Sequence, residues 1–235
     1  MFFLTNYEKY NKITVLCELK EGNRVKADRE TREKLLASAK AEFMEKGYTK
    51  ASLRKICANA GVTTGALYFF FNDKEDLFAS IVEKPLKELM ELLRAHYEED
   101  VQILSTVEAF EYQDGDHDEI ARHLIHQLYA HYDTFLLLLT KSQGTRFENG
   151  VDEIVDMTDV AYMAMAEGMM KQCPDMKVNS YMVHWMAHMA IDAFIHLLTH
   201  EPDEQKALQY TKKIMGYISK GWMEMILIPV DEEKK

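Results

Sequence analysis

The chain has 235 residues, 47% hydrophobic and 29% charged, with 28 Lys/Arg against 39 Asp/Glu for a net charge of −11. It is long enough to bury a substantial core, and no apolar run approaches the roughly 20 residues of a membrane span. Cys17, Cys57 and Cys173 are odd in number and scattered, which excludes a disulfide framework or zinc cluster and points to a reducing cytoplasm. At the start, Met1-Phe2-Phe3-Leu4 is followed by polar residues, with no basic beginning and no small-residue cleavage site, so a secretory signal is not expected. Phe2, Phe3, Leu4, Ile13, Val15, Leu16 and Leu19 are too apolar for a disordered arm yet show no clear period. Two readings fit residues 1–24: a genuine extension packed on the neighbouring helices, or upstream DNA read as protein. Lys20-Glu21-Gly22 can be encoded as a bacterial ribosome-binding sequence, and Val25 as a GTG start. The N-terminal mass of the protein made from its own promoter decides between them.

Proline and glycine are scarce, at 4 and 10, and apolar residues recur at helical spacing almost throughout. With no period-two run, the expected class is all-α. Helices are expected over 28–46, 52–59, 63–69, 73–98, 101–112, 118–141, 148–171, 179–200 and 203–226. Gly47, Gly61, Gly115, Gly144 and Gly150 mark their ends as positive-φ positions. Pro85, inside the fourth helix, predicts a kink or local break. Pro174 and Pro202 fall at helix boundaries. The expected organisation is an uncertain extension 1–24, a head 25–78, a helical domain 79–228 and a charged tail 229–235.

The head carries the most specific pattern. Leu35, Leu36, Ala39, Phe43 and Met44 form the apolar face of a first helix ending at Gly47. Ser52 is placed to cap a short second helix with Leu53, Ile56 and Cys57 on one face. Gly61 supplies the tight turn, Val62 plugs the angle, and Thr63 caps a third helix whose Leu67 turns inward. This is a helix-turn-helix. Charge is consistent with it: residues 24–84 hold 12 Lys/Arg and 9 Asp/Glu, a net +3 that leaves −14 for the remainder. Screening over about 10 Å makes the local sign the relevant one.

These residues resemble the tetracycline-repressor (TetR) family of bacterial regulators. The resemblance is carried by Ala41, Phe43, Gly47 and Tyr48, then by Ser52-Leu53-Arg54, Ile56, Ala60-Gly61-Val62-Thr63, Gly65, Leu67-Tyr68 and Phe71. Asn72-Asp73-Lys74-Glu75-Asp76-Leu77 completes it. It implies a three-helix DNA-binding head whose third helix lies in the major groove. Tyr68 and Lys74 match phosphate-holding places, and Ser52 and Arg54 lie near the backbone. Thr63, Thr64 and Ala66 match groove-facing places, where a hydroxyl pairs with several bases and a methyl meets thymine. Phe69 departs from the pattern, which often has a polar aromatic there. The recognition helix has no Arg or Lys, so affinity is expected to rest on Lys26, Arg29, Lys50, Lys74 and backbone amides.

For the C-terminal two-thirds the resemblance implies an effector-binding and dimerisation domain. Helix 179–200 is apolar nearly all round, which predicts burial on several sides. Helix 203–226 shows one stripe of Tyr210, Ile214, Tyr217, Ile218, Gly221, Trp222 and Met225. Together they are expected to form a four-helix homodimer interface, suiting a palindromic double-stranded operator. A hydrophobic pocket for a small-molecule effector is expected from Tyr129, Phe135, Met157, Tyr162, Met165, Trp185, His188 and Met189; ordinary core packing is the alternative for each. His184, His188, Asp192, His196 and His200 step by four along one helix, open to a metal, pH-responsive or merely structural reading. His117, His123, His126 and His131 form a second cluster. No metal or cofactor is expected. No Glu-x-x-His, Gly-rich phosphate loop, Gly-x-Ser-x-Gly or His-Glu-x-x-His occurs, so an enzyme is not expected. The functional expectation is a ligand-released repressor; the rival is a helical adaptor that keeps the head fold without binding DNA.

Overall fold

The computed structural model describes residues 4–104, 117–171 and 175–230, and the chain divides into two compact units, Met1–Ile81 and Val82–Lys235. In the first unit, α1 (Leu4–Lys50) is interrupted at Gly47, whose φ of 75° and ψ of 160° leave the helical region. A side chain at that φ would be strained, which is why glycine suits the break. Expected helices 52–59 and 63–69 appear as α2 (Leu53–Ala60) and α3 (Thr64–Phe70), joined through Gly61 at φ 70°. Leu35, Ala39 and Phe43, spaced by four on α1, are wholly buried with Ile56, Leu67, Leu77 and Phe78. Phe43 meets Phe78 edge-on at 5.2 Å, and Tyr48 meets Phe78 at 5.5 Å.

The fourth helix, α4 (Lys74–Leu104), is longer than expected and continues through Pro85. The expected local break is therefore absent, although proline still removes the backbone donor that Ile81 would otherwise receive. Residues 105–112 of the next expected helix lie outside the described residues. The expected helix 118–141 is two: α5 (His117–Ala130) and α6 (Tyr132–Lys141). They part at His131, whose carbonyl accepts from Thr134 and Phe135 N–H at 2.9 and 3.0 Å. That turn lets α5 pack on the last helix while α6 packs on the helix before it.

Then come α7 (Gly150–Met170), α8 (Ser180–His200) and α9 (Glu204–Ile226). Gly150 opens α7 without positive φ, unlike Gly144 at 85°; Gly115 and Pro174 lie outside the described residues. The all-α class holds, with one addition that period-two reasoning missed. Strands β1 (Met176–Val178) and β2 (Leu227–Pro229) pair antiparallel, Lys177 opposite Ile228. Three residues each are too few to show an alternating pattern.

Candidate nucleic-acid interface and ligand cavity

In the head, α3 is held at both ends. Thr63 Oγ1 accepts from Ala66 N–H at 3.2 Å, and Phe71 N–H returns to the Leu67 carbonyl at 3.0 Å. Leu67 is the buried anchor, while Tyr68 and Phe69 are 54% and 66% exposed. Thr63 and Thr64 are exposed with them and Ala66 is half-buried. The surface that this short, seated helix leaves to solvent thus presents two hydroxyls, a methyl and two aromatic rings. Phe69 sits edge-on to Phe70 at 4.9 Å.

The supporting residues are engaged differently from one another. Ser52 caps α2, its Oγ accepting from Lys55 N–H at 3.4 Å and its own N–H donating to Glu42 Oε1 at 3.3 Å. Glu42 is buried, with Lys55 Nζ 2.8 Å from its Oε2. That ammonium holds the Glu42 carboxyl below its ordinary value. Arg54, Lys26 and Lys50 are exposed. Lys74 is half-buried: its Nζ donates to the Thr49 carbonyl at 3.2 Å and lies 4.7 Å from the Tyr48 ring centroid. Desolvation pushes its pKa down. The start of α4 is already capped, because Asp73 Oδ1 accepts from Asp76 N–H at 2.8 Å and Asp76 Oδ2 accepts from Asn72 N–H at 2.9 Å. Lys74 thus reaches the Tyr48–Thr49 turn as a strut, not as a free arm.

The second unit holds a partly open cavity of about 370 Å³, a size ordinary for small-molecule sites. Its walls come from α4 through α9. Gly150 faces Leu86 at 4.0 Å from where a Cβ would stand, and Tyr97 Oη lies 3.0 Å from Thr158 Oγ1. So α4 and α7 run in the same direction along the cavity. Leu86, Leu89, Val151 and Ile154 line one stretch; His96, Tyr97, Asp100, Tyr162 and Trp222 line another. Thr158 Oγ1 donates to the Ile154 carbonyl at 2.8 Å, so the Tyr97 hydroxyl is the donor to Thr158. Burial pushes the Tyr97 and Tyr162 hydroxyls up and the His96 imidazole down. Trp222 Nε1 is buried with no hydrogen-bond partner among the described residues.

Of the eight expected pocket residues, Phe135, Tyr162 and Met165 line this cavity. Tyr129 does not: its hydroxyl donates to the Glu201 carbonyl and its ring stacks on Tyr132 at 5.2 Å. Met157 is half-buried elsewhere on α7, and Trp185, His188 and Met189 belong to the outer side of α8. The reason is angular. Helix α8 turns Val183, Met186, Ala187 and Ala190 inward, which leaves Tyr181, His184, Trp185, His188, Asp192, His196 and His200 exposed. Within one chain, helix 179–200 is therefore buried along one side and exposed along the other. Trp222, expected on an interface stripe, instead packs edge-on to Tyr162 at 4.6 Å inside the unit. His96, Tyr97, Asp100 and Trp222 were missed as wall residues. The spacing Leu86, Leu89, Leu93, His96/Tyr97, Asp100 along one helix face was the available signal.

The histidines divide among local roles. His184 Nδ1 lies 3.0 Å from Asp159 Oδ2, His196 stacks on His200 at 4.1 Å, and His126 Nδ1 reaches Glu204 Oε1 at 3.1 Å. Among the described residues no group of three or more side chains is arranged to hold a metal ion. Nor is any helix among them long and apolar enough to cross a membrane.

Among the described residues, a capped helix-turn-helix is followed by a unit built almost wholly of helices. The model of the bacterial regulatory proteins of the tetR family matches residues 35–81, so this segment belongs to that family. The HTH-type transcriptional repressor BepR of Brucella suis is 45% identical over 64 residues, 26% of this chain and 31% of that protein. The HTH-type transcriptional activator FasR of Mycolicibacterium smegmatis is 30% identical over 95 residues, 39% of this chain and 43% of that protein. The chain thus spans less than half the length of these relatives. A crystal structure of a transcriptional regulator (TerR/AcrR family) from Aquifex aeolicus matches with a TM-score of 0.51 at 20% identity, over 80% of this chain and 99% of that one, a likeness of fold.

Proposed function

We propose that the protein is a dimeric, ligand-responsive transcriptional repressor that binds a palindromic operator and is released by a small hydrophobic or amphipathic effector. The observation that carries this reading is the α3 face. A capped helix in a tetR-family head turns Thr63, Thr64, Tyr68 and Phe69 outward while Leu67 anchors it. Thr63, Thr64 and Ala66 read bases; Ser52, Arg54 and Tyr68 meet the phosphate backbone. Phe69 offers apolar contact, and Lys74 adds positive potential while bracing Thr49.

The second unit supplies the sensing part through its cavity. Exposed Val160, Tyr181, Trp185, Tyr210 and Tyr217 on α7, α8 and α9 suit burial against a second copy, and two heads about 34–36 Å apart read two half-sites. Occupation of the cavity acts on α4, which contributes Leu86 through Asp100 to its wall and begins at Lys74 in the head. Moving occupancy from 99:1 to 1:99 requires the effector to prefer the released state by about 5.5 kcal/mol.

The test is binding to the promoter-proximal DNA of the protein's own gene, followed by anisotropy across a salt series. Specific binding with a log–log salt slope of several units is expected. Absence of binding at low salt would leave the adaptor reading instead.

A further inference from the structure

The outer side of α8 carries His184, His188, His196 and His200 as two pairs, and the pairs differ in geometry. His184 and His188 stand one turn apart and meet edge-on, with ring centroids 4.7 Å apart at 79°. His196 and His200 are also one turn apart, but their rings are stacked at 4.1 Å and 21°. An imidazole nitrogen holds its lone pair in the ring plane, so steeply inclined rings can aim two lone pairs at one point. Stacked rings send theirs side by side. Two histidines at i and i+4 therefore chelate an ion in the first arrangement and not in the second. His200 is further committed, its Nδ1 lying 2.8 Å from the His196 carbonyl oxygen.

His184 is also oriented from α7. Its Nδ1 lies 3.0 Å from Asp159 Oδ2. A carboxylate only accepts, so the proton sits on Nδ1 and the Nε2 lone pair is left for another partner. Metal-binding imidazoles are commonly set in this way, with one nitrogen on an acid and the other on the ion. Asp159 Oδ1 is buried with no hydrogen-bond partner among the described residues, so part of that negative charge is not offset by protein donors. The surroundings are acidic. Helix α7 carries Asp152, Glu153, Asp156, Asp159 and Glu167, α8 carries Asp192, and neither contains Lys or Arg. We propose that His184 and His188, with Asp159 behind His184, form a clip for a divalent transition-metal ion on the outer side of the second unit. The ion takes two imidazole nitrogens from α8 and fills its remaining positions with water. Imidazole suits Cu2+, Ni2+ and Zn2+, of which Cu2+ binds most tightly.

The test is titration of tag-free, full-length protein with Cu2+ alone, read by calorimetry and electron paramagnetic resonance. One tight ion per chain is expected, its spectrum showing coupling to two imidazole nitrogens. His188→Gln, at an exposed position, should weaken that ion about tenfold or more and remove one of the coupled nitrogens. Asp159→Asn should weaken it about tenfold while both nitrogens stay coupled, because the carboxylate acts through His184 and not on the ion. The double variant His196→Gln/His200→Gln should bind as the parent does. Absence of a tight ion, an affinity that His188→Gln leaves unmoved, or an equal loss in the His196→Gln/His200→Gln variant overturns the clip. The readings of the head and of the cavity do not depend on it.

Discussion

The head and the helical unit place their apolar residues to opposite ends. In the head, Leu35, Phe43, Ile56, Leu67, Phe71 and Phe78 are sealed from solvent, and helix ends are tied by Thr63, Ser52, Asp73 and Asp76. In the second unit, clusters packed around Val183, Met186 and Ile226 stand beside large residues that border a space. A filled core holds a reading helix at fixed geometry; an unfilled one keeps attractive surface in reserve for a guest. Substitutions should therefore cost stability in the first and change response in the second.

The sharpest way to break that contrast is to make one substitution in both places. Phe43→Ala should destabilise the head by about 3–5 kcal/mol and abolish operator binding. Phe194→Ala, on the cavity wall, should cost under about 2 kcal/mol because its ring already borders empty space. Equal losses by chemical denaturation would mean the cavity is not an open volume in solution. Next in size are the contacts to DNA. Lys74→Ala should weaken all sequences alike and lower the salt slope by about one unit per head, while Thr64→Ala should alter base preference. An unchanged slope would show that bracing Thr49 is the whole role of Lys74.

Acid stability probes the head from another side. Lys55 holds the Glu42 carboxyl below its ordinary value of 4.5. Its contribution is therefore present above that value and lost as pH falls through the lower folded value. Glu42→Gln should reduce melting temperature at pH 7 and flatten its decline below about pH 4.5; parallel curves for the two proteins would refute the pairing. The smallest effect belongs to Tyr97→Phe. Removing the bond to Thr158 should cost about 0.5–1.5 kcal/mol, read as a lowered midpoint of chemical denaturation.

The head was legible because its residues are locally determined. Gly47 and Gly61 meet positive-φ positions, Ser52 and Thr63 cap the helices they precede, and Leu67 anchors a helix only seven residues long. The cavity was legible only in part. Phe135, Tyr162 and Met165 come together there, whereas Trp185, His188 and Met189 share a helix with the wall but not its angle. Such facing depends on which neighbours α8 meets, and one chain segment does not encode that. Trp222 misled for the same reason, since an aromatic on a stripe suits an interface and a cavity equally well. The break at His131 escaped because its apolar neighbours keep helical spacing on both sides.

The short ribbon has a consequence for how the C-terminal helices open. The Asn179 N–H donates to the Ile226 carbonyl at 2.7 Å, and Val230 N–H to the Asp175 carbonyl at 3.1 Å. These bonds clasp the first turn of α8 to the last turn of α9, and the connection near Pro202 clasps the other ends. The pair is thereby a closed hairpin with neither end free to fray. Its amides should exchange with solvent through a single cooperative opening, so the cavity wall they build yields as a block.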